Sequence, residues 1–169
     1  SFMDPSVVSW LRFSIEKEEY EDYLNSPNSV HAKRWLFVPV NNADSICDFG
    51  GHWSLLIFNT KENFAIHLDS GGGSNNRSAC ASLEAITKVI GSRLAGRAGA
   101  SAEGPTSTGR ATTKVVHVPS ALCPQQQDSS SCGGFAVLFA DFMARLILSE
   151  GTGTGTGEGA GAGAGAGEE

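Results

Sequence analysis

The stretch from His52 to Asp69 constrains the fold of this chain more than any other segment. His52 to Phe58 is a continuous apolar run of the length and composition of a central strand. Asn59-Thr60-Lys61-Glu62-Asn63 has turn chemistry, and Phe64 to Asp69 reads as the strand that returns. In such a hairpin the start of one strand and the end of the next lie side by side. His52 and Asp69 are therefore predicted at the same edge of a sheet, within pairing reach.

Helical and extended patterns surround this hairpin. Pro5 to Phe13 can open as a short helix, with Asp4 as N-cap and Pro5 in the first turn. Glu16 to Leu24 is a second helical candidate, ended by Asn25-Ser26-Pro27. Arg34 to Val40 reads as a strand, followed by a loop to Gly51. Ser70 to Asn76 is a Gly-rich loop. Ser78 to Ile90 has helical spacing, with Leu83, Ile86, Val89 and Ile90 on one face and Gly91 as its stop. Residues 91–113 are rich in Gly, Ala, Ser and Thr without periodicity and read as an insertion loop. Lys114 to Pro119 is a further strand. Cys132 to Leu148 is the strongest helix, with Phe135, Leu138, Phe139, Phe142, Met143, Leu146 and Ile147 expected to be mostly buried. The pattern predicts an α+β fold, a mixed β-sheet flanked by the Cys132 helix and the Ser78–Ile90 helix.

Residues 1–149 are read as one domain. Residues 150–169 alternate Gly-Thr and then Gly-Ala, have almost no apolar mass to bury, and are expected to be disordered. From Gly151 onward it holds three of the eighteen acidic residues, Glu158, Glu168 and Glu169, so removing that part changes the formal charge from −6 to −3. A mildly acidic domain argues against nucleic acid or an anionic membrane as partner. The longest apolar run reads as too short to span a bilayer. The four cysteines, Cys47, Cys80, Cys123 and Cys132, show no C-x-x-C spacing, so no metal site is predicted. No signal peptide precedes them, so a reducing compartment, cytoplasm or nucleus, is expected. Three are read as buried or half-buried thiols and one as reactive. His67 lies two residues before Asp69 and faces the same side of its strand. It is expected to be packed or exposed, not a second base.

The reactive candidate is Cys132. It opens a helix, where unpaired N–H groups and the helix dipole favour a thiolate, and Gly133 and Gly134 permit close approach by another backbone. A thiol, an imidazole and a carboxylate, each at the end of a different element, are the parts of a cysteine hydrolase. The ring takes the thiol proton, the carboxylate orients the ring, and sulfur attacks a carbonyl. A glutamine before the thiol can donate to the oxyanion; spacing alone leaves Gln125, Gln126 and Gln127 open. Trp53 is either a core aromatic or one wall of a channel for an extended substrate tail.

These residues resemble those of the ubiquitin-like-protein-specific cysteine proteases of the Ulp/SENP type. The resemblance rests on Gly51-His52-Trp53-Ser54-Leu55-Leu56, on His67-Leu68-Asp69-Ser70, and on Pro124-Gln125-Gln126 followed by Cys132-Gly133. It implies a papain-like fold and a triad of His52, Asp69 and Cys132. It also implies Gln126 as oxyanion donor, Trp53 and Gly133 beside the Gly-Gly tail of the substrate, and no cofactor. Phe37-Val38-Pro39-Val40-Asn41-Asn42, Gly50-Gly51 and Ser1-Phe2 are similar to the deneddylase branch, and on that likeness Asn41 joins the substrate-binding set. The implied partner is a ubiquitin-like modifier, Nedd-type or SUMO, and its conjugates, cut by a monomer. A modifier-binding module without turnover and an acyl transferase using the same triad are the alternative readings. Three departures stand out: no Trp-Leu-Asn-Asp segment is found, Ser131 replaces the usual Asp before the nucleophile, and the C-terminal helical region gives way to the Gly-rich tail. The chain reads as a protease core lacking its N-terminal part.

Overall fold

The structure, a computed structural model, describes residues 1–13, 33–98 and 113–151. The candidate helix at 16–24 and the tail from 152 onward lie outside these residues, as does 99–112 of the expected insertion. In chain order the elements are α1 (Pro5–Phe13), β1 (Trp35–Asn41), β2 (Trp53–Asn59), β3 (Phe64–Leu68), α2 (Asn76–Ala98), β4 (Lys114–His117) and α3 (Cys132–Gly151). Asp4 caps α1, its carboxylate accepting from Ser6 N at 2.8 Å.

The four strands follow one another in sheet order, β1-β2-β3-β4. β1 pairs with β2 and β2 with β3 antiparallel, whereas β3 and β4 run parallel, so the sheet is mixed as expected. Asn41 faces Trp53 and Leu55 faces Leu68, which brings the end of β1, the start of β2 and the end of β3 to one edge. Alternating side chains build two cores. On one face Leu36, Val38, Val40, Leu56 and Phe58 pack with Val8 of α1 and Leu83 and Ile86 of α2. On the other, Phe37, Leu55 and Ile57 pack with Cys123 and with Phe139 and Ala140 of α3. The central strand is thus buried on both faces, which explains its unbroken apolar run.

Four expectations need correction. The α2 helix passes through Gly91 and continues to Ala98. A glycine inside a helix costs about 1 kcal/mol relative to alanine, which is no absolute stop, and helix-forming Arg93, Leu94 and Ala95 follow it. The α3 helix is less buried than its apolar content implies. Phe139 lies in the core, but Leu138, Phe142 and Leu146 are exposed, because α3 meets the sheet with one face only. By length and composition alone, Cys132–Ser149 is apolar enough to cross a membrane, contrary to the sequence expectation. Cys47 and Cys80 are exposed, whereas Cys123 and Cys132 are buried.

His67, in the middle of the sheet, is almost fully buried. Its Nε2 lies 2.9 Å from Ser54 Oγ, and its Nδ1 lies 3.1 Å from Asn76 Oδ1 and 3.0 Å from Nδ1 of His117, its register partner on β4. Burial lowers its pKa to about 4, outweighing the attraction of Asp69. His67 is therefore neutral at pH 7. Its stabilising contribution is complete above about 6.5, the ordinary value, and is lost as pH falls through about 4. Urea unfolding of wild type should show stability declining across this window, and His67→Gln should flatten the decline. An identical pH slope in the variant would contradict the assignment.

Candidate active site

The edge where β1, β2 and β3 meet carries the candidate residues. His52 stands one residue before β2 and is held by its backbone: its N donates to Asn42 Oδ1 (3.0 Å), and its carbonyl accepts from Asn42 N (3.2 Å). The loop before it is braced from within. Asp48 accepts from Asp44 N and Gly50 N, each at 2.9 Å, and Asn41 Nδ2 donates to Phe49 O at 3.2 Å. Gly50 has φ +61°, and a Cβ there would overlap Asn41 Oδ1. Asn41, a candidate substrate-binding residue, is buried; its Oδ1 accepts from Ala43 N at 2.7 Å, which braces the loop.

Asp69 stands one residue after β3 and is also buried. Its Oδ1 accepts from His52 Nε2 at 2.6 Å and from Gly71 N at 2.8 Å, and its Oδ2 accepts from Asn75 N at 2.8 Å. Burial pushes the carboxyl up, but the Asn75 N–H, the His52 ring and the Gly71 N–H together hold it below the ordinary value. Asp69 is thus a carboxylate at neutral pH. A carboxylate only accepts, so Nε2 carries a proton, which leaves Nδ1 as the ring nitrogen able to take one. That is the tautomer a base for a thiol requires.

Cys132 is the first residue of α3, and Phe135 N donates to Ser131 O at 3.0 Å to start the helix. The thiol is 6 % exposed and makes no hydrogen bond to His52 or to any other described residue. The structure therefore joins His52 to Asp69 directly and leaves the sulfur at the head of its helix without a bonded base. The turn before it is fixed by Asp128, which accepts from Ser130 N at 2.8 Å, from Ser131 N at 2.7 Å and from the Ser131 hydroxyl. Those bonds hold the Asp128 pKa at about 2. A carboxylate three residues upstream of Ser131 thus braces the position where the family usually has Asp.

The three glutamines differ. Gln125 Nε2 donates to both Asp69 O (3.2 Å) and Cys123 O (2.8 Å), which uses both of its hydrogens. Gln127 is exposed and donates to Gln125 O at 3.4 Å. Gln126 is half-buried; its Oε1 accepts from Ser70 Oγ at 2.8 Å and its Nε2 gives one hydrogen to Asp128 O at 2.7 Å. One Nε2 hydrogen of Gln126 remains. Trp53 and Gly133 line an apolar cleft of about 510 Å³ between the start of β2 and the first turns of α3. Among the described residues no three His, Cys, Asp or Glu side chains form a group able to hold a metal.

Sequence reading missed Asp128, Gly71 and Asn75. The Asp128-Ser129-Ser130-Ser131 run carried a turn signal, since Asp readily bonds the N–H two residues on. Nothing in the sequence marked Gly71 or Asn75 apart from their neighbours in the Gly-rich loop.

Residues 2–152 match the family described as the Ulp1 protease family, C-terminal catalytic domain, and the chain belongs to that family. It is 26% identical to NEDD8-specific protease 1 of Arabidopsis thaliana, covering 89% of this chain and 58% of the relative. It is 26% identical to sentrin-specific protease 8 of Rattus norvegicus, covering 80% and 54%. It is 27% identical to a probable sentrin-specific protease 8 of Dictyostelium discoideum, covering 88% and 56%. The chain therefore spans a little over half the length of these curated relatives. A solved structure of the C-terminal Ulp1 protease domain in complex with SMT3, the yeast ortholog of SUMO, aligns with 14% identity and a TM-score of 0.40, over 89% of this chain and 78% of that one.

A Cβ at Gly71 would lie 2.6 Å from His52 Cε1 and 2.7 Å from Nε2, so the ring must move if this residue is not glycine. Gly71→Ala should break the His52–Asp69 bond while leaving the sheet intact. NMR should show loss of the bridging proton with unchanged backbone shifts in β1–β3. A retained bridging proton would contradict the packing described.

Proposed function

We propose that this member of the Ulp1 family is a thiol protease that cleaves after the C-terminal Gly-Gly of a ubiquitin-like modifier. The reaction would process a modifier precursor or release the modifier from a lysine. The observation that carries the reading is the half-buried 2.6 Å His52–Asp69 bond, which leaves Nδ1 of His52 as the acceptor at the sheet edge.

The chemistry assigned to each residue follows from its atoms. Substrate binding brings the Cys132 thiol to His52 Nδ1, a contact that often tightens only in the Michaelis complex. The proton passes to Nδ1 and the thiolate adds to the glycine carbonyl. The donors proposed for the oxyanion are the Cys132 backbone N–H and the remaining hydrogen of Gln126 Nε2, a type of donor typically worth about 2.7–4 kcal/mol. His52 returns its proton to the leaving amine, and a thioester remains. Water then adds with His52 as base, and the modifier leaves as a carboxylate while the thiol re-forms. Trp53 and Gly133 flank the cleft that takes the glycine tail. Residues 1–149 form the protease core, acting as a monomer in cytoplasm or nucleus.

The names of the relatives, which specify NEDD8 and sentrin, support a modifier of this class, and the sequence of the β1 end favours the Nedd type. The second reading is a modifier-binding module without turnover. It is favoured by one observation, the absence of a Cys132–His52 hydrogen bond among the described residues.

A modifier with a C-terminal vinyl sulfone distinguishes them. The Nedd-type probe should label Cys132 faster than the SUMO probe, Cys132→Ala should abolish labelling, and Asp69→Asn should slow turnover by roughly 10⁴-fold, as loss of the orienting carboxylate does in serine proteases. Binding without labelling by folded wild type would overturn the protease reading.

A further inference from the structure

Asn75 lies in the loop between Asp69 and α2, and its side chain is fully buried. Its carbonyl accepts from Ala79 N at 2.9 Å, so it occupies the N-cap position of α2. An N-cap asparagine ordinarily turns its side-chain oxygen onto the free N–H groups of its own helix. Here the side chain is directed away from the helix. Nδ2 donates to Val40 O at the end of β1 (3.1 Å), to His52 O before β2 (3.3 Å) and to Ser54 Oγ (3.0 Å). The backbone N of the same residue donates to Asp69 Oδ2 at 2.8 Å. The orientation of the amide is fixed, since the reverse would set its oxygen against two carbonyls. Its own Oδ1 is buried without a hydrogen-bond partner.

One residue therefore grips both members of the His52–Asp69 pair, Asp69 through its backbone and His52 through its side chain. It also ties them to the ends of the strands that carry them. A buried acceptor left unpaired and a cap given up are unfavourable locally, and what they secure is the relative position of the ring and the carboxylate.

We infer that Asn75 is a positioning residue for the His52–Asp69 pair, clamping the loop of the carboxylate to the backbone of the base. This rests on the site reading above, but its structural half is measurable without turnover. The probe is the deshielded proton in the 2.6 Å His52–Asp69 bond, followed by NMR, together with the 13C titration of the Asp69 carboxyl. In Asn75→Ala the proton signal should vanish or broaden through solvent exchange, and the Asp69 titration should move up toward the ordinary carboxylate value. Turnover of a modifier precursor should show kcat lowered roughly 10–100-fold with KM within about twofold, as expected when reacting groups are misplaced without loss of binding surface.

Asn59→Ala is the control. Asn59 is equally buried but sits at the far end of β2, where it braces the hairpin turn through Lys61 N and Glu62 N. It should lower stability and leave the proton signal and the Asp69 titration unchanged. If Asn75→Ala does not fold, Asn75→Ser keeps a shorter donor and should show the same shifts at smaller amplitude. A folded Asn75 variant with the wild-type signal and wild-type Asp69 titration would overturn the inference. Wild type that shows the signal but cleaves nothing would count against the protease reading and not against the clamp.

Discussion

The buried carboxylate of Asp69 is the interaction on which the site depends. A charge at 4 % exposure is tolerable only when its oxygens are matched by donors, and three converge on it from His52, Gly71 and Asn75. Two of those donors are backbone groups of the loop that follows β3, so the loop is wrapped around the charge. The third is the imidazole, whose tautomer is decided by the contact. Holding the carboxylate ionised therefore shapes the loop and orients the imidazole at once.

The sheet supplies the scaffold for this arrangement. Antiparallel pairing of β1, β2 and β3 brings two strand ends and one strand start to a single edge. The helices then divide the labour. α1 and α2 seal one face, and α2 begins at the loop that holds Asp69. α3 seals the other face and presents Cys132 at its N-terminus, where the helix dipole favours negative charge on sulfur. The candidate groups thus come from the edge of the sheet, which carries His52 and Asp69, and from the helix on one of its faces, which carries Cys132. The Gln125 amide, bonded to Asp69 O, and the Gln126 amide, bonded to Ser70, tie the segment before α3 to the loop after β3.

Much of this was legible in the sequence because hairpin periodicity is local. The run His52–Phe58, its turn and the return to Asp69 predicted the meeting of His52 and Asp69, and the glycines after Cys132 did not disguise a helix of strongly apolar content. The errors came from context. Leu138, Phe142 and Leu146 look like core residues by composition, but burial depends on what packs opposite them. Gly91 looks like a stop, but a single glycine is a modest penalty within an otherwise helix-forming run. Asn41, placed in the substrate-binding set by resemblance, also braces its own loop, a role that its sequence did not signal. Asn75 and Gly71 gave no signal because their roles depend on close approach between segments distant in sequence.

The central claim is that the His52 ring, set by Asp69, serves as base for the Cys132 sulfur. Alkylation of Cys132 by iodoacetamide at neutral pH, followed by mass spectrometry in wild type and in folded His52→Ala, measures this without any substrate. The account predicts that losing the ring slows modification of Cys132 by about tenfold or more, while Cys47 on the surface reacts equally in both proteins. Equal rates at Cys132 with and without the imidazole would contradict it.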